Sequence, residues 1–205
     1  MNRTKPPQQR RADLLAAGQA RFLAQGIAAT SLDDITASAG VSKGLFYLYF
    51  GSKEDLVFAL QEQFAREFAE RILAAAGRQA DWGGKLDACV QAGFEYYREL
   101  HDLHEVLFHR AGPPASRGHE HAGPGASRGH EPAHGIVTRI IAELFAAGVA
   151  AGAFDVADPE AAAVLCHASM HAFDNGFRGS GGPDDARLML AAQQLFRRVA
   201  GAARA

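Results

Sequence analysis

The sequence predicts an all-α fold, a three-helix N-terminal domain followed by a larger helical domain, with about nine helices in all. Apolar residues recur at i, i+3, i+4 and i+7 through most of the 205 residues, the period that lays one stripe along a helix. No stretch alternates apolar and polar residues long enough to form a half-buried strand, and no glycine-rich phosphate loop follows a strand. With 48% hydrophobic residues, the chain can bury a sizeable core.

The first helix is expected from about Gln9 to Gln25, where Leu15, Gly18 and Phe22 form one stripe before Gly26 ends it. In the next, Ser31 is placed to cap the helix and Asp34, three residues on, to complete a capping box. Ala39-Gly40-Val41 then supplies a turn in which Gly40 is free to take positive φ. Ser42 caps a second short helix, Lys43 to Phe50, which displays Lys43, Tyr47 and Tyr49 while Phe46 and Phe50 hold it down as core. Ser52-Lys53-Glu54-Asp55 opens a long helix through Phe58, Phe64, Phe68 and Ile72 to Ala76, stopped by Gly77.

Trp82-Gly83-Gly84 is expected in a connection, and Lys85 to Leu100 in an amphipathic helix carrying Leu86, Cys89, Val90, Gly93, Phe94 and Tyr97 on one side. A short helix from about Asp102 to His109 follows. At 111 to 121 the chain reads AGPPASRGHEH, and at 122 to 132 AGPGASRGHEP, a tandem duplication identical at nine of eleven positions. With so much Pro and Gly and no large apolar residue, 111 to 133 reads as a mobile loop. Its His119, Glu120, His121, His130 and Glu131, with His134 nearby, could capture a divalent metal, but a tolerated insertion left by replication slippage is the simpler account. Three further helices are expected: His134 to Ala151, Asp158-Pro159 to near Gly176, and a last one opened by Pro183.

Charge divides unevenly. Residues 1 to 56 carry seven Lys or Arg against five Asp or Glu, and the remainder 14 against 18, within a net charge of −2. Arg3, Lys5, Arg10 and Arg11 precede any acid, and read equally as an arm reaching for phosphates or a minor groove and as a solvated tail. Cys89 and Cys166 lie far apart in apolar patterns, which excludes a disulfide framework and fits a reducing cytoplasm. Neither a membrane span nor a secretory signal is expected.

The stretch from Thr30 to Leu56 resembles the DNA-binding region of the TetR family of transcriptional regulators. Ile35, Ala39 to Gly44, Phe46, Tyr47, Tyr49, Phe50, Ser52 to Glu54 and Leu56 match that family's pattern. Thr36 and Leu45 depart from it, and Leu45 suggests contact with a thymine methyl in place of a hydrogen bond. The resemblance implies a helix-turn-helix domain over 9 to 69 and a helical effector-binding and dimerisation domain over 70 to 205. It also implies a homodimer, a palindromic duplex operator as partner, no required cofactor and no enzymatic activity. The most frequent role in the family is a repressor released by a small effector. DNA contacts would fall to Thr30, Ser31, Ser42, Lys43, Gly44, Leu45, Tyr47, Tyr49 and Lys53. The last two long helices of each subunit would pair, with Ala161 to Ala163, Ala168 and Ala172 allowing close approach.

For the effector two chemistries are open. Phe94, Tyr97, Phe108 and Phe173 would line an apolar pocket for an organic molecule. Alternatively His167 and His171 at i and i+4, with Asp174, present two imidazoles and a carboxylate to zinc, nickel or copper, and His101 with His104 forms a similar group. From another class, a constitutive architectural DNA binder is disfavoured, because more than half the chain is a net acidic helical domain that adds nothing to phosphate binding. No nucleophile elbow, HExxH or Walker pattern supports an enzyme.

Overall fold

The computed structural model describes residues 6–109, 133–171 and 184–201. All the regular structure among them is helical: α1 Pro7–Gln25, α2 Leu32–Ala39, α3 Lys43–Tyr47, α4 Lys53–Gly77, α5 Trp82–Glu99, α6 His101–His104 continued by a π-helical turn Glu105–His109, α7 Ala133–Ala150, α8 Pro159–Met170 and α9 Asp185–Val199. None of these helices is long and apolar enough to cross a membrane. The chain divides into two compact units, one drawn from Met1–Gln63 and Asp102–His130, the other from Phe64–His101 and Glu131–Ala205. The division falls inside α4.

The first unit is built on Leu14, Phe22, Ile35, Phe46 and Leu56, all fully buried. Gly18 is required there, since a Cβ on it would stand 2.6 Å from Leu56 Cδ2. Gln61 Nε2 donates to Leu107 O at 2.7 Å, fixing the π-helical turn to the first part of α4. Leu103, Val106 and Leu107 are buried in the same unit.

The second unit has an aromatic centre. Phe64, Phe68, Tyr96 and Tyr97 pack at centroid separations of 4.8 to 6.4 Å. The Tyr96 hydroxyl donates to Phe64 O at 3.1 Å and meets Glu67 Oε2 at 3.3 Å, and burial with the neighbouring carboxylate pushes its pKa up. Gly93 lets Phe68 and Met170 approach α5, and Gly148 is covered by the Phe154 ring. Between α5 and α9, Arg197 grips Asp87 with two hydrogen bonds of 2.9 and 2.7 Å. Its guanidinium lies over Gly83, where a Cβ would come within 2.9 Å.

Several boundaries differ from expectation. Trp82, Gly83 and Gly84 open α5, because Asp81 caps it by accepting from Gly84 N at 2.7 Å. α3 stops at Tyr47, and the chain reaches Phe50 through a turn held by Tyr49 N to Phe46 O and Phe50 N to Phe46 O. α8 runs from Pro159 to Met170 with His171 in the closing turn, and Gly176, where the sequence placed its end, lies outside the described residues. α9 is capped by Asp184, whose Oδ1 accepts from Arg187 N at 2.9 Å. The duplicated segment, Phe173, Asp174 and Pro183 lie outside the described residues.

Candidate nucleic-acid interface

The residues from Ser31 to Lys53 are tied together by side-chain caps. At the start of α2 the Ser31 hydroxyl accepts from Asp34 N at 3.1 Å, while Asp34 Oδ2 accepts from Ser31 N at 2.9 Å. Hydrogen bonds from the Ser31 hydroxyl and backbone hold the Asp34 carboxyl below its usual range. Gly40 takes φ 65°, the left-handed conformation that turns the chain from α2 toward α3. Ser42 caps α3 by accepting from Leu45 N at 3.2 Å. Ser52 in turn accepts from Asp55 N at 3.0 Å, and Asp55 Oδ2 accepts from Gly51 N at 3.0 Å. A helix as short as α3 cannot stand by itself. It is held instead by these caps and by Phe46, fully buried against Phe50 at 5.6 Å.

The face that α3 leaves outward is Lys43, Gly44, Tyr47 and Leu48. Tyr47 is 52% exposed and Leu48 70%, large apolar surface that no element of the unit covers. Leu45, expected to read a base, is half-buried, as is Tyr49. Leu48 escaped the sequence reading, although it is two positions from both Phe46 and Phe50 and so off the side that those rings bury. Gly44 has open space around it, the nearest atom to an added Cβ being Ser42 Oγ at 3.9 Å. Nothing inside the unit requires glycine there, and in a helix it costs about 1 kcal/mol relative to alanine.

The polar residues assigned to this surface are variously engaged. Lys43 Nζ lies 2.8 Å from Asp33 Oδ1, both side chains largely exposed. Its hydrogen bond to Asp33 raises the lysine pKa. Thr30 is 1% exposed, and its hydroxyl donates to Gly26 O at 2.7 Å. Thr30, expected among the DNA contacts, therefore has its hydroxyl sealed inside the unit, while Ser31 stays at the surface. Thr36, where the family pattern has alanine, satisfies its buried hydroxyl on Leu32 O at 3.0 Å. Lys53 Nζ donates to Ile27 O at 2.8 Å and Thr30 O at 2.9 Å, clasping the turn between α1 and α2 from the start of α4. Removing its ammonium while keeping its stem, Lys53→Met, would strand two carbonyls. The variant should lose about 1–3 kcal/mol of stability in urea unfolding; an unchanged unfolding midpoint would contradict that clasping role.

Arg10 and Arg11 are not part of a free arm but lie in α1, with Arg11 Cζ 5.2 Å from the centroid of the Phe50 ring.

In the second unit, residues drawn from two separate sequence hypotheses come together. Tyr97 lies 5.7 Å from the His171 ring, and His171 lies 5.2 Å from His167. His167, 5% exposed, has Nδ1 at 2.9 Å from Thr138 Oγ1. Phe94 is buried in the same unit. His101 belongs to that unit as well and is exposed. His104 and Phe108 belong to the first unit, where they stack at 4.8 Å. Among the described residues no three His, Cys, Asp or Glu side chains converge at metal-binding range. Cys89 and Cys166 are free thiols, each pushed up to about 12 by burial. Along α8, Ala162 and Ala163 face inward, while Ala161, Val164, Leu165 and Ala168 form one outward stripe.

Residues 14–60, which contain the capped segment from Ser31 to Lys53 and the outward face of α3, match the family described as "Bacterial regulatory proteins, tetR family". The HTH-type transcriptional activator FasR of Mycolicibacterium smegmatis is 29% identical over 103 residues, 50% of this chain and 47% of FasR. The HTH-type transcriptional repressor KstR2 of Mycobacterium tuberculosis is 32% identical over 92 residues, 45% of this chain and 46% of KstR2. The chain thus spans about half the length of the curated relatives it matches. A TetR-family transcriptional regulator of Pectobacterium atrosepticum, solved by crystallography, superposes over 98% of this chain and 100% of its own with a TM-score of 0.66 and 28% identity. With residues 14–60 matching that family and the fold shared over nearly the whole chain with a solved member of it, this chain belongs to the TetR family of transcriptional regulators.

Proposed function

We propose that this chain is a ligand-responsive repressor that binds a palindromic duplex as a homodimer in the cytoplasm and leaves it when a small organic effector binds the domain spanning 70 to 205. The observation that carries the DNA-binding part is the outward face of α3: Lys43, Gly44, Tyr47 and Leu48 are presented on a helix whose other side is pinned by Phe46. Such a helix fits the major groove, where Tyr47 and Ser42 can donate to phosphates or base edges. Leu48 and Leu45 supply apolar surface for thymine methyls. Gly44 lets the sugar-phosphate backbone come close, which accounts for glycine at a position with no internal need of it.

Two reading helices must lie roughly 34–36 Å apart to enter successive major grooves. For the pairing, the outward stripe on α8 is apolar with small residues at both ends, and α9 adds exposed Leu190 and Leu195. Effector release then needs only that the ligand prefer a dimer with another spacing, since affinity for DNA falls by that differential binding. Tyr97, His171 and His167 favour an organic effector carrying a hydrogen-bonding group over an ion: His167 is engaged with Thr138 at Nδ1, and Tyr97 beside His171 packs on Phe68 at 5.0 Å.

Selection of bound duplexes from a random-sequence pool, using the purified full chain, tests this directly. The expected result is an enriched palindrome with half-sites about one helical turn apart. A screen of small organic molecules, with zinc, nickel and copper beside them, should then find a compound that releases the selected duplex. No enriched sequence, or enrichment without dyad symmetry, would defeat the reading.

A further inference from the structure

Near the reading helix stand three cations whose hydrogen-bonding edges are in different states. Lys43 is paired with Asp33 and Lys53 is spent on two carbonyls. Arg11 is exposed and has no carboxylate partner among the described residues. Its guanidinium carbon lies 5.2 Å from the centroid of the Phe50 ring. A guanidinium held over a ring by its charge is not consumed as a hydrogen-bond donor, and its planar fork of N–H groups matches two phosphate oxygens. The ring that seats it is itself buried: Phe50 is 3% exposed and packs on Phe46. Arg11 is thereby prepaid in side-chain entropy, unlike a lysine on a free stem.

Its position matters as much as its state. Phe50 closes the turn after α3, so Arg11 stands at the C-terminal end of the reading segment and Lys43 at the N-terminal end. Lys43 opens the five-residue α3 and Phe50 follows its closing turn, so the two cations flank a segment short enough to lie within a major groove about 12 Å wide. Cations at the two ends of such a segment can reach phosphates on the two strands that border the groove.

We infer that Arg11, held on the Phe50 ring, is a fixed phosphate contact of this chain that brackets the reading helix opposite Lys43. This rests on the DNA-binding function proposed above. It adds α1 to the elements that touch DNA, and it assigns the contact to a folded helix in place of a mobile arm.

The test measures binding of a fluorescein-labelled random-sequence duplex by anisotropy across a salt series, for the full-length chain and for Arg11→Ala and Arg11→Lys. Each phosphate neutralised contributes about 0.9 to the slope of log affinity against log salt. The alanine variant should therefore lose about one unit of slope per bound protomer and bind several-fold more weakly at low salt, with its circular dichroism and thermal midpoint unchanged. The lysine variant should keep the slope, because it keeps the charge. A folded alanine variant with the parent's slope would overturn the inference while the parent still binds DNA, as would a lysine variant that loses as much slope as alanine. A parent chain that binds no duplex would instead bring down the DNA-binding function itself.

Discussion

Exchanging Lys43 and Tyr47 together for alanine should lower affinity for the selected duplex on the order of a hundredfold, with no loss of folding stability. Each side chain stands on the outward face of α3: a base-edge contact from Tyr47 is worth about 1–3 kcal/mol, and the phosphate that Lys43 neutralises adds to it, so losing both accounts for a drop of that size. Neither residue supports the fold by much. The Lys43–Asp33 pair is exposed on both sides, where solvent screening leaves an ion pair little net stability. Tyr47 touches Phe46 edge-on at 5.7 Å but remains 52% exposed. Anisotropy on the selected duplex and a thermal melt of the same sample check both halves. Retained affinity would move the reading surface elsewhere, and a collapsed melt would show the pair to be structural.

Phe46→Ala is expected to do the opposite, removing stability first and DNA binding as a consequence. Phe46 is fully buried and is the side chain through which the five-residue α3 is attached to its unit, with Phe50 against it. Truncating a buried phenylalanine costs about 3–5 kcal/mol. For a unit of this size that lowers the midpoint on the order of 20 °C. Differential scanning calorimetry should show an early transition for the first unit while the second, built on Phe68, Tyr96, Phe145 and Phe196, melts as before. An unshifted low-temperature transition would mean that the caps at Ser42 and Ser52 suffice to hold α3.

Where the chain turns is written in local chemistry, and that part was legible. Ser31 with Asp34, Gly40 at positive φ and Ser42 act on backbone groups within three residues of themselves, so their sequence neighbours decide their geometry. The same logic, applied to Asp81 and Asp184, would have placed the starts of α5 and α9, where Trp82 and Pro183 drew attention instead. The all-helical class followed from periodicity, which needs no knowledge of partners.

Side-chain function was less legible, because it depends on what lies across the fold. A lysine in the Ser-Lys-Glu motif looks like a phosphate ligand until Lys53 is seen to reach Ile27 O and Thr30 O, 26 and 23 residues away. Thr30 looks available until its hydroxyl is found buried on Gly26 O. Tyr97 and His171, assigned to rival effector chemistries, prove to be neighbours at 5.7 Å. By itself the sequence determined the family, the helical class and the caps at Ser31 and Ser42, all consequences of short-range hydrogen bonding and periodicity. Which cations stay available on the described surface, which hydroxyls are sealed, and that Arg11 rests on Phe50 thirty-nine positions away were decided only by tertiary packing. Burial and pairing bring together groups that the chain order keeps apart.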